Sequence, residues 1–350
     1  MAESTRRVTR YILIAIALIA VAVILWKISV VIVIGFGGVV GAALFRGIAI
    51  PLGKRTGLAE RWSLSIVLVL FLCLLGLLAW LFGHQAASQL VAMRELMPTS
   101  LQKIIANLER STLGHMVVDR VKDALGGSKF VDNLNLVAGT AITGVADLLL
   151  IFFLAIYLAF DPLEYLNGFL RLLPPAQRPK VETALVDAGR ALKQWLLAQL
   201  AGMVVIGLLV GAGLSILGVP LAFILGLFAG LLEFVPVVGA ILFTIPGVLV
   251  AFTVSPEKAF YVLLFYVGIQ QLESNVIIPL LQRWAVRLPA AITLVSVVIG
   301  GILLGGPGIV FATPLAVVVL TLVKHLYVED TLEHVRAKPV AAPRIGARGR

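Results

Sequence analysis

Apolar sequence gathered into eight long runs constrains this chain more than any other feature. The runs cover 11–25, 28–45, 64–82, 140–160, 195–217, 221–254, 260–278 and 290–327. A helix crossing a bilayer takes about 20 apolar residues, and in hydrocarbon every backbone N–H and C=O must be satisfied within the protein. Mean hydropathy is +1.07, with 60% hydrophobic and 13% charged residues. An ordinary soluble domain carries about 25% charged residues, so that class is excluded. The expected fold is an all-α polytopic membrane bundle of about eight transmembrane segments with a small helical extramembrane insert.

Two of the runs are too long to be simple spans, and they are interrupted in matched places. Pro220, Gly239 and Pro246 stand in one, and Pro289, Gly308 and Pro314 in the other. Counted from the first proline, the offsets are 19 and 26 residues in one and 19 and 25 in the other. As continuous helix, 221–254 would reach about 51 Å, well beyond a hydrocarbon core of about 30 Å. Its midpoint reads E-F-V-P-V-V-G from Glu233 to Gly239, and Pro236 removes a backbone donor there. The second run breaks at Gly305, Gly306, Pro307 and Gly308. Interrupted backbone at membrane depth is tolerated against protein or a water-filled cavity, and matched interruptions in two halves point to a transport site. Two broken or re-entrant helical hairpins, at 221–254 and 290–327, are therefore expected. The other reading is a pair of full hairpins made of kinked spans, with the prolines serving as kinks.

Charge placement orients the chain. Basic residues cluster at Arg6, Arg7 and Arg10, at Arg46, Lys54, Arg55 and Arg61, and at Arg336, Lys338, Arg344, Arg348 and Arg350. Segment 83–139 carries six basic and five acidic residues and is nearly neutral. The positive-inside rule then puts both termini in the cytoplasm and 83–139 outside. The organisation expected is a leader (1–10), three helices (11–82), an extracytoplasmic helical insert (83–139) and a fourth helix (140–160). A cytoplasmic loop with a short amphipathic helix over 181–193 (161–194), a transport core (195–327) and a basic tail (328–350) follow. Counted this way, the two hairpins open from opposite faces, the arrangement of an inverted repeat. The net charge of +10 reads as topology signal and attraction to anionic lipid rather than as a nucleic-acid surface. Apolar sequence continues past the Ala20–Ala22 motif almost to Phe45, which suits a helical hairpin better than a cleaved leader. GxxxG pairs at Gly37/Gly41, Gly207/Gly211, Gly226/Gly230 and Gly301/Gly305 allow close helix approach, within one chain or between copies.

Ionisable and amide groups inside apolar runs are costly unless paired or wetted, so they mark candidate function. Glu233 adjoins the first break, and Gln270, Gln271, Glu273, Ser274 and Asn275 cluster just before Pro279. The carboxylates could take H⁺ or Na⁺ as coupling ion, and the amides could bind a polar solute. Glu233 reads equally as a brace for freed backbone N–H groups, and Glu273 as an interfacial residue. Asp147 and Gln199 are weaker candidates, and Asp161 marks a helix end. Hydrolase and metalloprotease motifs are absent, the four histidines are scattered, and no phosphate loop is formed. No enzyme activity, cofactor or metal is expected.

These residues carry a family resemblance. G-L-L-E-F-V-P-V-V-G-A-I-L-F-T-I-P-G (230–247) and Q-Q-L-E-S-N-V-I-I-P (270–279) resemble two signatures of the autoinducer-2 exporter family, also described as PerM-like permeases. L-P-A-A (288–291), the glycine-rich 300–316 and L-Y-V-E-D (326–330) resemble its C-terminal region. The resemblance implies an oligomeric bacterial inner-membrane permease exporting a small polar solute, with Glu233, Pro236, Gly239, Gln271, Glu273, Asn275 and Pro279 as its functional positions. Many relatives have a histidine where this chain has Leu288, which leaves a proton-handling role there without its side chain. Some relatives are described instead as Na⁺(Li⁺)/H⁺ antiporters, and a non-transporting scaffold is a further alternative. Pro220, Pro246, Pro289, Gly305, Gly306, Pro307, Gly308 and Pro314 complete the expected gating elements.

Overall fold

A computed structural model of the protein describes residues 28–77, 79–80, 144, 146–281, 283 and 288–333, together with Ile14. The expected first span, the insert, the leader and the end of the tail lie outside the described residues. What is described is helical. The helices are α1 (Ser29–Thr56), α2 (Glu60–Leu77), α3 (Ala146–Phe160), α4 (Pro162–Arg171), α5 (Arg178–Ile216), α6 (Ala222–Leu232) and α7 (Val238–Val254). After them come α8 (Pro256–Leu272), a π-helical turn (Glu273–Ile277), α9 (Ile278–Leu281), α10 (Ala290–Val323) and a final π-helical segment (Lys324–Glu333). Among the described residues five helices are long and apolar enough to cross a membrane, or up to six if the bent pair α3–α4 is one span. That pair turns by 88° at Asp161, the expected helix end.

One sequence expectation is corrected. The amphipathic stretch 181–193 is not a separate helix, because α5 runs unbroken through it for 39 residues. Pro179 sits in the first turn of α5, where a missing N–H costs nothing, and no breaker follows before Leu217. The run 260–278 lies within Pro256–Leu281, long and apolar enough to cross a membrane as one segment, and widens into a π turn at Glu273.

Glycine contacts fix how the helices stack. A Cβ built at Gly226 would lie 2.6 Å from the Gly207 carbonyl oxygen and 2.5 Å from Gly211 Cα. At Gly230 it would meet the Met203 carbonyl at 2.6 Å. Two of the expected GxxxG pairs thus pack against each other within one chain, drawing α5 and α6 together in antiparallel register. Gly41 serves α1 similarly, where a Cβ would sit 2.6 Å from Ala155 Cβ on α3. Ile206, Val210, Leu214, Val262 and Ala251 fill the buried centre between α5 and α6–α8.

α10 contains a reversal rather than a kink. Gly305 has φ 64° and ψ −144°, well outside helical geometry. A Cβ at Gly300 would lie 2.5 Å from the Gly308 carbonyl oxygen and 3.2 Å from Ala312 Cβ, and one at Gly301 lies 3.1 Å from Ile309. In a continuous helix, residues eight apart are separated by about 12 Å. The halves 290–304 and 306–323 therefore fold back on each other.

α1 serves as a ruler for both breaks. Ser29, Val33 and Ile34 lie beside Leu304 and Pro307. Phe36 meets Phe311 edge-on at 6.3 Å. Val40 shares a cluster with Trp195, Phe234, Leu288 and Val317, and Gly47 faces Lys193 and Leu197. The turn at Gly305 lies beside the start of α1, and Phe234, just past Glu233, joins the cluster that holds Val40. Residues 29 and 40 are roughly 16 Å apart along a helix.

Candidate transport site

The break after α6 accounts for its backbone groups one by one. Pro236 has no N–H for the Leu232 carbonyl, and Val235 N–H takes its place at 3.1 Å, tightening the last turn. Glu233 N–H donates to the Ala229 carbonyl at 3.0 Å. The Glu233 carbonyl, released from the helix, accepts Gln199 Nε2 at 2.6 Å. Gln199 is thus a brace for the break. Val238 N–H donates to the Pro236 carbonyl at 2.8 Å across Val237, whose φ is 69° and ψ −54°. That is a γ-turn with a β-branched residue at its centre, a strained conformation. Gly239 begins the return, pressed so closely on the Leu232 carbonyl that a Cβ would collide with it.

The π turn has a cause in the sequence. Pro279 offers no N–H to the Asn275 carbonyl, and its ring crowds the preceding turn. The Ile278 N–H reaches back five residues to the Glu273 carbonyl instead. Ser274 Oγ donates to the Gln270 carbonyl at 2.8 Å and Asn275 Nδ2 to the Gln271 carbonyl at 2.8 Å. π turns inside α-helices are rare and frequent at functional sites.

The two irregularities meet at one place. Glu233 and Glu273 are each 5% exposed, and their side chains are neighbours. Gln270 Nε2 donates to Glu273 Oε2 at 3.2 Å. Glu233 Oε2 is buried without a donor. Phe234, next to Glu233 in the chain, meets Trp195 edge-on at 6.1 Å.

The other sequence candidates separate from this pair. Gln271, Ser274 and Asn275 are exposed on the outer face of the described chain, and the last two are occupied by their own helix. Pro220 lies in the α5–α6 turn, beside Leu221 with φ 64°. Pro289 caps α10, while Pro246 and Pro314 sit inside helices α7 and α10 rather than at the breaks. Gly305, Gly306 and Pro307 form the exposed second turn, and Gly308 is buried at the fold-back. The sequence offered no signal for Val237, nor for the buried hydroxyl of Thr313, which lacks a partner among the described residues.

Apolar helices of crossing length around a polar centre at broken backbone define a multi-pass α-helical membrane protein. Residues 12–328 match the AI-2E family transporters, and the chain belongs to that family. It is 24% identical over 299 residues to "Putative transport protein YrrI" of Bacillus subtilis, covering 85% of this chain and 77% of the relative. It is 27% identical over 281 residues to "Putative permease PerM" of Escherichia coli K12, covering 76% and 79%. A second Bacillus subtilis protein, "Putative transport protein YueF", is 26% identical over 279 residues, covering 73% and 74%.

Proposed function

We propose that the protein is an ion-coupled secondary transporter of the bacterial inner membrane that exports a small polar solute. The observation that carries this reading is the buried Glu233–Glu273 pair at the junction of a broken helix and a π turn. Like charges this close within an apolar bundle call for a positive charge between them, and H⁺ or Na⁺ supplies it. Loading and release of that ion would switch the pair between a neutralised and a repelling state. The repelling state strains a junction already held by the Val237 turn. Opposed turns in two hairpins, entering from opposite faces, would then alternate access in the manner of an inverted repeat. Lipid surrounds the bundle, both termini lie in the cytoplasm, and the exposed polar row of Gln271, Ser274 and Asn275 favours contact with a second copy.

Metabolite release from cells tests the proposal. Medium from cells lacking the protein is compared with medium from cells producing it, or producing the Glu233→Gln or Glu273→Gln variant at equal membrane level. A small polar solute released with the native protein, and lost in both variants and on adding a protonophore or sodium ionophore, is the expected result. Equal release by native and variant proteins would remove the coupling role from the pair.

A further inference from the structure

A second polar centre lies at the other break. A cavity of about 50 Å³ is lined by Ser29, Val33, Asp147, Ile151, Leu304 and Pro307, where the start of α1, α3 and the Gly305 turn converge. Asp147 is half-buried there, and among the described residues neither its carboxylate nor the Ser29 hydroxyl makes a side-chain hydrogen bond or ion pair. Asp147 shares the cavity with the apolar side chains of Val33, Ile151, Leu304 and Pro307. Backbone oxygens supply a second source of negative charge. Pro307 has no N–H for the Leu303 carbonyl, Gly305 interrupts the ladder, and the half-helix 290–304 ends at this turn with its partial negative charge.

We infer that this cavity is a binding site for a small monovalent cation, held by Asp147 with the Ser29 hydroxyl and the carbonyl end of the half-helix 290–304. Size decides the class of ligand. Pockets for organic ligands run to about 300–1,000 Å³, whereas a single water needs about 10–15 Å³. The cavity admits an ion with a few waters and excludes a sugar-sized solute. Unwound carbonyls and half-helix C-termini are oxygen donors suited to such ions in broken-helix proteins. The site stands apart from the Glu233–Glu273 pair and does not depend on its role.

The test uses purified full-length protein in lipid nanodiscs, with radiolabelled sodium and rubidium as probes and choline as the inert cation. The native protein is expected to bind one of the two ions saturably and to unfold at a higher temperature when it is present. Asp147→Asn should lose that binding and that shift while unfolding in choline as the native protein does. Glu233→Gln/Glu273→Gln should retain the component that Asp147→Asn loses, which separates the two sites. If Asp147→Asn does not fold, Leu304→Trp, which fills the cavity and leaves the carboxylate in place, should lose the same component. Absence of saturable binding of either ion to native protein, or binding unchanged in Asp147→Asn or in Leu304→Trp, overturns the inference.

Discussion

At the scale of single residues, two side chains hold conformations or neighbours that stability alone would not select. Glu233 is buried with Oε2 unsatisfied beside another acid. In Glu233→Gln the amide becomes a donor to Glu273, relieving the orphaned oxygen. Hydrogen bonds to charged groups contribute about 1.5–3 kcal/mol, so this variant should unfold at a higher temperature than the native protein at neutral pH, while losing solute release. Thermal unfolding in detergent checks the first half; a fall in stability would mean the pair is satisfied as it stands. Val237 offers a comparison of sign. In a helix glycine is worse than alanine by about 1 kcal/mol, but at φ 69° alanine shares the Cβ penalty of about 1–2 kcal/mol that glycine escapes. Val237→Gly should therefore be more stable than Val237→Ala by about 1 kcal/mol, reversing the usual order. Denaturation of the two variants side by side measures it, and the ordinary order would remove strain from the description of this turn.

At the scale of elements, backbone contact through glycine organises α5, α6 and the two halves of α10. The sequence showed these glycines plainly, because small residues four apart have one physical use in a membrane helix. It did not show which pairs join within the chain, since GxxxG reads the same for a bundle and for an oligomer. Breaks at Pro236 and Gly305 were legible because proline and glycine act on their own backbone. The π turn was legible only in outline: Pro279 announces a disturbance, but not whether the helix kinks or widens. Convergence of Glu233 on Glu273 was not legible, being a contact across 40 residues made by the register of α6 and α8 on α5. The glycine packing predicts opposite outcomes for one substitution at two sites. Gly226→Ala drives a Cβ into the backbone of Gly207 and Gly211 and should destabilise by about 1–3 kcal/mol. Gly268→Ala, with nothing within 4 Å, should be neutral or stabilising by up to about 1 kcal/mol through helix propensity. Equal effects at both sites, read from unfolding temperatures in micelles, would contradict close α5–α6 contact.

At the scale of the whole molecule, one question decides whether the two broken runs are spans or hairpins: does α10 pass straight on at Gly305 or return? Ala290–Val328 is long enough to be a single oversized span by length alone. The closeness of Gly301 to Ile309, 3.1 Å from a built Cβ, admits only return, because eight helical residues would separate the two by about 12 Å. A disulfide requires Cβ atoms about 3.5–4.5 Å apart. The native chain has one cysteine, Cys73, which is exposed, so replacing it with serine leaves a thiol-free background. In that background Gly301→Cys/Ile309→Cys should lose both thiols to a mild oxidant, seen as two missing maleimide additions by mass spectrometry and restored by reductant. Gly301→Cys/Leu315→Cys is the control: fourteen residues apart, it meets its partner in neither arrangement and should keep both thiols. Full labelling of the 301/309 pair after oxidation would straighten α10 into a kinked span. The Gly305 turn would then no longer face Asp147, and the opposed hairpins proposed for alternating access would be lost.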